Sequence, residues 1–169
     1  MKERYQTPVH DDRVAQAVRT LNCPVIANGN VVNSQTGLSY LDSTGAAGLM
    51  IGRGAIRNPW VFEQIRCATS KREIPQVTGR MILEYITKLY DETAREISEF
   101  IEDRHVQKMK KYLVYITQGH HADFEHQIRR AKNKTEFFGT CIRFLDHEDD
   151  APDLPSENSR LFCGFSQFL

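Results

Sequence analysis

The sequence contains no CxxC pair. Its four cysteines, Cys23, Cys67, Cys141 and Cys163, are widely scattered. That spacing argues against a zinc ribbon or a disulfide framework and for free thiols. Long apolar runs are also missing. None approaches the roughly 18 residues that a membrane-spanning helix needs. The opening Met1-Lys2-Glu3-Arg4-Tyr5 has no apolar signal-peptide core. A cytosolic protein is therefore expected. Net charge is absent too, with 22 Lys and Arg against 22 Asp and Glu. Apolar residues at 40% and charged residues at 26% exclude wholesale disorder and fit one domain or two small ones.

The zero net charge conceals an asymmetry. From Arg104 to Lys134 there are eight Lys and Arg against Asp123 and Glu125, a local balance of +6. His105, His120, His121 and His126 lie in the same stretch. A basic face on a neutral chain points to an anionic partner. A solvated helix face with no partner accounts for the same charges.

Periodicity divides the chain. Residues 8–21 have helical spacing, with Asp11 and Asp12 suited to a helix N-terminus. Pro24 to Ala27 reads as a short strand stopped by Asn28-Gly29. Residues 33–44 read as a helix entered through Asn33-Ser34 and left through Gly45. Gly48 to Ile51 is apolar enough for a strand buried on both faces. Asn58-Pro59 is expected to open the next helix, with Asn58 as cap and Pro59 at its first position.

Beyond Cys67 the pattern changes. Residues 69–77 are polar, contain Pro75 and read as a linker. Helical spacing then covers 79–100, 103–118, 122–132 and 134–146, a series that reads as an antiparallel bundle. The stretch 148–169 has acids, two prolines and no clear period. Its order stays open, with Leu161, Phe162, Phe165, Phe168 and Leu169 as candidates for docking. The expected fold class is α/β followed by all-α, with residues 1–68 as a piece of a larger α/β domain, 69–77 as linker, 78–147 as bundle and 148–169 as tail. Two parallel strands with three helices leave edges and apolar faces uncovered. Self-association, or a longer parent protein of which this is the C-terminal portion, is expected to cover them.

The chemistry is concentrated in two turns. Asn28-Gly29 follows one strand and Gly52-Arg53-Gly54 follows the next, at the same end of a parallel pair. In a (β/α)8 barrel the loops after the last two strands form the usual phosphate site. Glycines let backbone approach a phosphate closely, and Arg53 can add a charge-assisted contact. A single Gly-Arg-Gly turn would be weak evidence, because strand–helix turns commonly need glycine. The pairing of two such turns is stronger.

The segments PVIANGNV (24–31) and GAAGLMIGRGAIRNPWVF (45–62) resemble the last two barrel strands of the tRNA-dihydrouridine synthases. Lys2-Glu3-Arg4-Tyr5 looks like the segment after that family's sixth strand. Lys110-Lys111-Tyr112-Leu113-Val114-Tyr115 is similar to its tRNA-facing helix. The resemblance covers about residues 2–146 and is strongest over 24–62. It implies a TIM barrel that binds FMN, a C-terminal helical domain that binds tRNA, and NADPH-dependent reduction of uridine to dihydrouridine. Asn28, Gly29, Gly52 and Arg53 would then hold the FMN phosphate, with Gly54 and Ala55 shaping the turn. Lys108, Lys110, Lys111, Arg129 and Arg130 would contact RNA backbone. Tyr112 or Tyr115 would stack on a base, although core packing is the plainer role for each.

The resemblance also implies an omission. The family's proton-donating cysteine, and the lysine and histidine near flavin and substrate, belong to the first half of the barrel. Leu21-Asn22-Cys23-Pro24 is superficially similar to the family's Asn-x-x-Cys-Pro motif. However, Cys23 precedes its strand and so lies at the stability face of a barrel. His10 reads as a helix-start residue. No catalytic residue is assigned, and the chain alone is expected to be inactive. Two other readings stay open: a non-catalytic RNA-binding helical module with a vestigial barrel piece, and another FMN-barrel oxidoreductase related to dihydroorotate or dihydropyrimidine dehydrogenases.

Overall fold

The computed structural model describes residues 9–169. The segment Lys2–Tyr5, used in the resemblance above, lies outside them. The chain divides into two compact units. One comprises the residues up to Pro75 together with Leu154–Leu169, and the other is Gln76–Asp153.

The first unit is α/β. Its elements are α1 (Asp11–Thr20), β1 (Ile26–Asn28), α2 (Ser34–Thr44), β2 (Gly48–Met50), α3 (Arg53–Arg57) and α4 (Val61–Thr69). The strands pair in parallel, with Ile26 opposite Gly48, Ala27 opposite Leu49 and Asn28 opposite Met50. Both turns therefore leave the same end of the pair. Helix α2 forms where the sequence predicts it. Asn33 Oδ1 accepts from Thr36 N at 2.9 Å, and Thr36 Oγ1 accepts from Asn33 N at 3.1 Å. This reciprocal cap satisfies two helix-end donors. Gly45 closes the helix with φ of 68°, a left-handed conformation that glycine adopts without strain.

Side chains alternate across β1. Ala27 faces a core of Val31, Tyr40 and Phe168, against which Val14, Leu49, Ile51 and Ile65 also pack. Ile26 faces away and is 60% exposed. Strand β2 corrects the sequence reading. Its residues are half-buried or exposed, and Met50 is 49% exposed. The apolar run is that of a doubly covered strand, but among the described residues only one face of the pair is covered.

A second correction concerns α4. Asn58 and Pro59 precede it, and Trp60 is its N-cap. Asn58 Oδ1 accepts from Trp60 N at 3.2 Å, while its Nδ2 donates to Gln64 Oε1 at 2.8 Å. Asn58 thus shapes a turn ahead of the helix. The short α3 was not visible in the sequence pattern.

The second unit is helical: α5 (Gly79–Arg95), α6 (Glu102–Ile116), α7 (Ala122–Arg130) and α8 (Lys134–Leu145). Helix α8 packs against the other three, and α6 against α7. The core holds Met109, Leu113, Ile116, Phe124, Ile128, Phe137 and Leu145, all fully buried. Helix α5 ends at Arg95 rather than near residue 100, which leaves Phe100 exposed in the following loop. The two ends of this unit meet. Thr78 forms an antiparallel bridge with Asp150, Gly79 N donates to Asp149 O at 3.1 Å, and Ala151 N donates to Val77 O at 2.7 Å.

The tail does not continue that unit. Residues Leu154–Leu169 return to the α/β unit. A 3-10 turn, Phe165–Phe168, buries both phenylalanines. Phe168 meets Tyr40 edge-on with ring centroids 5.0 Å apart, and Gln35 Nε2 donates to Leu169 O at 3.1 Å. The docking candidates in the sequence thus include two residues of a core. No described helix is long and apolar enough to cross a membrane.

Candidate functional site

The parallel register sets the geometry of the two turns. Asn28 and Met50 end their strands side by side. The chain leaves β1 through Gly29-Asn30 and leaves β2 through Ile51-Gly52 into α3. The turns approach each other closely. A Cβ at Gly54 would overlap the carbonyl of Val31, so only glycine fits there. Gly29 rests on the ring of Tyr40, where a Cβ would lie 2.5 Å from Cε1. The Tyr40 hydroxyl donates to Asn28 O at 3.2 Å and fixes the end of β1. Burial raises the Tyr40 phenol above its ordinary range, with Asp11 adding to the shift, so the hydroxyl keeps the proton it donates.

All four residues expected to grip a phosphate, Asn28, Gly29, Gly52 and Arg53, line one cavity of about 230 Å³. Gly52 is exposed, and nothing stands within 4 Å of where its Cβ would be. The Asn28 amide makes a long contact to Met50 Sδ at 3.7 Å. An amide with so weak a partner, open backbone at Gly52 and a guanidinium suit an anion. A phosphoryl group is therefore chemically compatible with the residues present.

Other lining residues were not singled out for this cavity from the sequence. They are Val31 and Val32 from the first turn and Phe162, Cys163 and Phe165 from the tail. The apolar spacing of the tail was a signal for docking, but it did not say where. Arg53 is half-buried. Its Nη1 donates to the carbonyl of Leu161, and its guanidinium carbon stands 5.9 Å from the centroid of the Phe162 ring.

Cys23 is exposed and lies ahead of β1, at the opposite end from the cavity. His10 is the N-cap position of α1 and exposed. Neither joins the two turns.

The basic residues of the helical unit fall into two groups. Lys108, Lys111 and Tyr115 share one stripe of α6 by their spacing. Lys111 is exposed, while Lys108, Tyr112 and Tyr115 are half-buried. Lys110 turns toward the end of α7, where its ammonium donates to Ala131 O at 2.9 Å. Arg129 pairs with Glu125, and Arg130 contacts the His126 ring. Both arginines also occupy the last turn of α7, where a cation complements the helix dipole. His105 departs from the basic face altogether. It is 1% exposed, and its Nε2 meets Tyr90 O at 3.0 Å. Its place one turn before Met109 could have assigned it to the core.

Comparison with known proteins bears on what this arrangement belongs to. The family model described as "Dihydrouridine synthase (Dus)" matches residues 1–149. A probable tRNA-dihydrouridine synthase of Helicobacter pylori is 36% identical over 145 residues, which cover 85% of this chain and 38% of the relative. A probable tRNA-dihydrouridine synthase of Mycobacterium tuberculosis is 27% identical over 143 residues, or 85% of this chain and 35% of the relative. The tRNA-dihydrouridine synthase B of Shewanella oneidensis is 34% identical over 92 residues, 52% of this chain and 29% of the relative. The chain thus spans about two-fifths or less of each of these relatives. The matched family stretch takes in both turns and helices α5–α8 and stops ahead of the tail. The chain belongs to the dihydrouridine synthase family.

Proposed function

We propose that this chain supplies the phosphate-binding turns and an RNA-facing helical unit of a tRNA-dihydrouridine synthase, a cytoplasmic FMN-dependent oxidoreductase that reduces uridine to dihydrouridine in tRNA. The observation that carries this reading is the convergence of Asn28, Gly29, Gly52 and Arg53 on one cavity. When bound, FMN recharged by NADPH supplies the hydride. The residues of this chain bind and orient its phosphate. Asn28 offers an amide, the glycine turns offer backbone N–H groups, and Arg53 offers a charge-assisted donor. On the helical unit, Lys108 and Lys111 present charge to RNA, and Tyr115 lies on the same stripe. Lys110, Arg129 and Arg130 contribute to the extent that RNA phosphates displace their present partners. The residues that the family uses for proton donation find no counterpart at Cys23 or His10. These 169 residues alone are therefore expected to be inactive. Self-association is one of two ways to cover Ile26 and Met50, the other being a longer parent protein, and a monomeric mass by light scattering would remove it.

Flavin fluorescence tests the cofactor assignment. Titrating FMN against the full chain and against Arg53→Ala should show a loss of roughly tenfold or more in affinity, the range of a hydrogen bond to a charged group. Equal affinities would overturn the role of Arg53. A gel shift with tRNA across a salt series tests the helical unit, and binding insensitive to salt would exclude phosphate contacts.

A further inference from the structure

The tail lies across the two turns that the cofactor reading assigns to phosphate. Four observations place it there. Arg53 donates to the Leu161 carbonyl and faces the Phe162 ring. Gly164, with φ of 71°, passes Asn30 so closely that a Cβ would lie 3.0 Å from Asn30 Nδ2. Phe162, Cys163 and Phe165 form one wall of the cavity. Phe168 is seated in the core against Tyr40. The segment is also internally braced: Ser159 Oγ accepts from both Leu161 N and Phe162 N at 3.2 Å.

Size and chemistry say what this does. The space left beside the tail is about 230 Å³. A phosphoryl group fits that space. One partner of Arg53 is the neutral carbonyl of Leu161. A phosphate monoester makes the stronger, charge-assisted and bidentate bond to the same guanidinium.

We propose that Ser159–Phe165 is a strap that competes with a phosphate monoester ligand for Arg53 and must lift before that ligand seats fully. The inference rests on the cofactor reading above. By linkage, whatever loosens the strap raises affinity for the ligand, and the ligand loosens the strap. Anchoring by Phe168 means that lifting Ser159–Phe165 does not require the last turn of the chain to leave its core.

Two full-length variants loosen the strap and keep Arg53 itself in place. Phe162→Ala removes the ring over the guanidinium. Gly164→Val puts a side chain against Asn30 and strains the left-handed backbone. Two quantities are read: FMN affinity by fluorescence, and the rate at which Cys163 reacts with a thiol reagent, resolved by peptide mass. Exposed Cys23 and buried Cys141 serve as controls. Both variants should bind FMN about tenfold more tightly, the factor by which a competent state populated at about a tenth lowers apparent affinity. Saturating FMN should accelerate Cys163 labelling in the unsubstituted chain, and inorganic phosphate alone should do so more weakly. If FMN binds all three proteins alike and leaves Cys163 unchanged, the strap is refuted while the phosphate site stands. If FMN slows Cys163 labelling and Phe162→Ala weakens binding, the tail is a wall of the site and the competition is refuted. If Cys163 becomes fast in the variants but neither FMN nor phosphate binds any protein, the cofactor reading fails and takes the strap with it.

Discussion

In the helical unit, Met109, Leu113, Ile116, Phe124, Ile128, Phe137, Cys141 and Leu145 all have 0% exposure. In the α/β unit no residue of α1 is buried, β2 is at best half-buried, and the core includes a phenylalanine from the far end of the chain. The contrast follows from how each architecture hides apolar surface. Helices with a wide apolar stripe close a core among themselves within one stretch of sequence. A parallel strand pair satisfies its ladder only toward its partner and covers only the face on which helices lie. The helical unit therefore closes its core within one stretch of sequence. The α/β unit holds the candidate chemistry.

The largest blow to that comparison would be Phe124→Ala. Truncating a fully buried phenylalanine costs about 3–5 kcal/mol, enough to unfold a marginal unit. Circular dichroism at 222 nm should show the midpoint of helix loss fall steeply. An unchanged midpoint would mean that this core is not what stabilises the unit.

A smaller effect comes from pH. Burial pushes the Cys141 thiol up to about 12 from its ordinary value near 9. The fold favours the neutral thiol, so its contribution is complete below about pH 9 and is lost as pH rises toward 12. The helical unit should weaken across that window, by on the order of 1.4 kcal/mol for each pH unit the thiol spans. Cys141→Ala should flatten the curve measured by urea unfolding. Buried Tyr90 and half-buried Tyr85, whose phenols burial also raises, would leave a residual slope.

The smallest effect belongs to the other unit. Ile26→Thr keeps a β-branched residue on an exposed strand face and should change stability by no more than about 0.5 kcal/mol. A loss of several times that would show that Ile26 is covered in solution, and sedimentation would then reveal by what.

What could be read in advance follows the range of the interactions. Asn33, Thr36 and Gly45 define α2 with contacts a few residues apart, so their identities suffice. The convergence of Asn28, Gly29, Gly52 and Arg53 was legible because a β-α-β unit with parallel strands leaves little choice about where its turns end. The start of α4 was misplaced by a local signal that is real but used otherwise. Asn58 caps a turn there instead of the helix. His105 lies within the basic stretch, although its spacing belongs to the core. The contact between Tyr40 and Phe168 spans most of the sequence, and nothing near either residue encodes it. The same holds for Arg53 and Leu161. Patterns within one element cannot specify which distant element will cover it.

The return of the tail makes the helical unit an insertion, with both of its ends joined at the bridge between Thr78 and Asp150. This has a mechanical consequence. Tension applied between Val9 and Leu169 runs through the α/β unit and the docked tail first, because α5–α8 form a side loop outside the load path. Only when Phe168 has left its seat against Tyr40 does force reach the bridge, where the segments around Thr78 and Asp150 would part by unzipping. The helical unit is thus shielded until the tail has undocked.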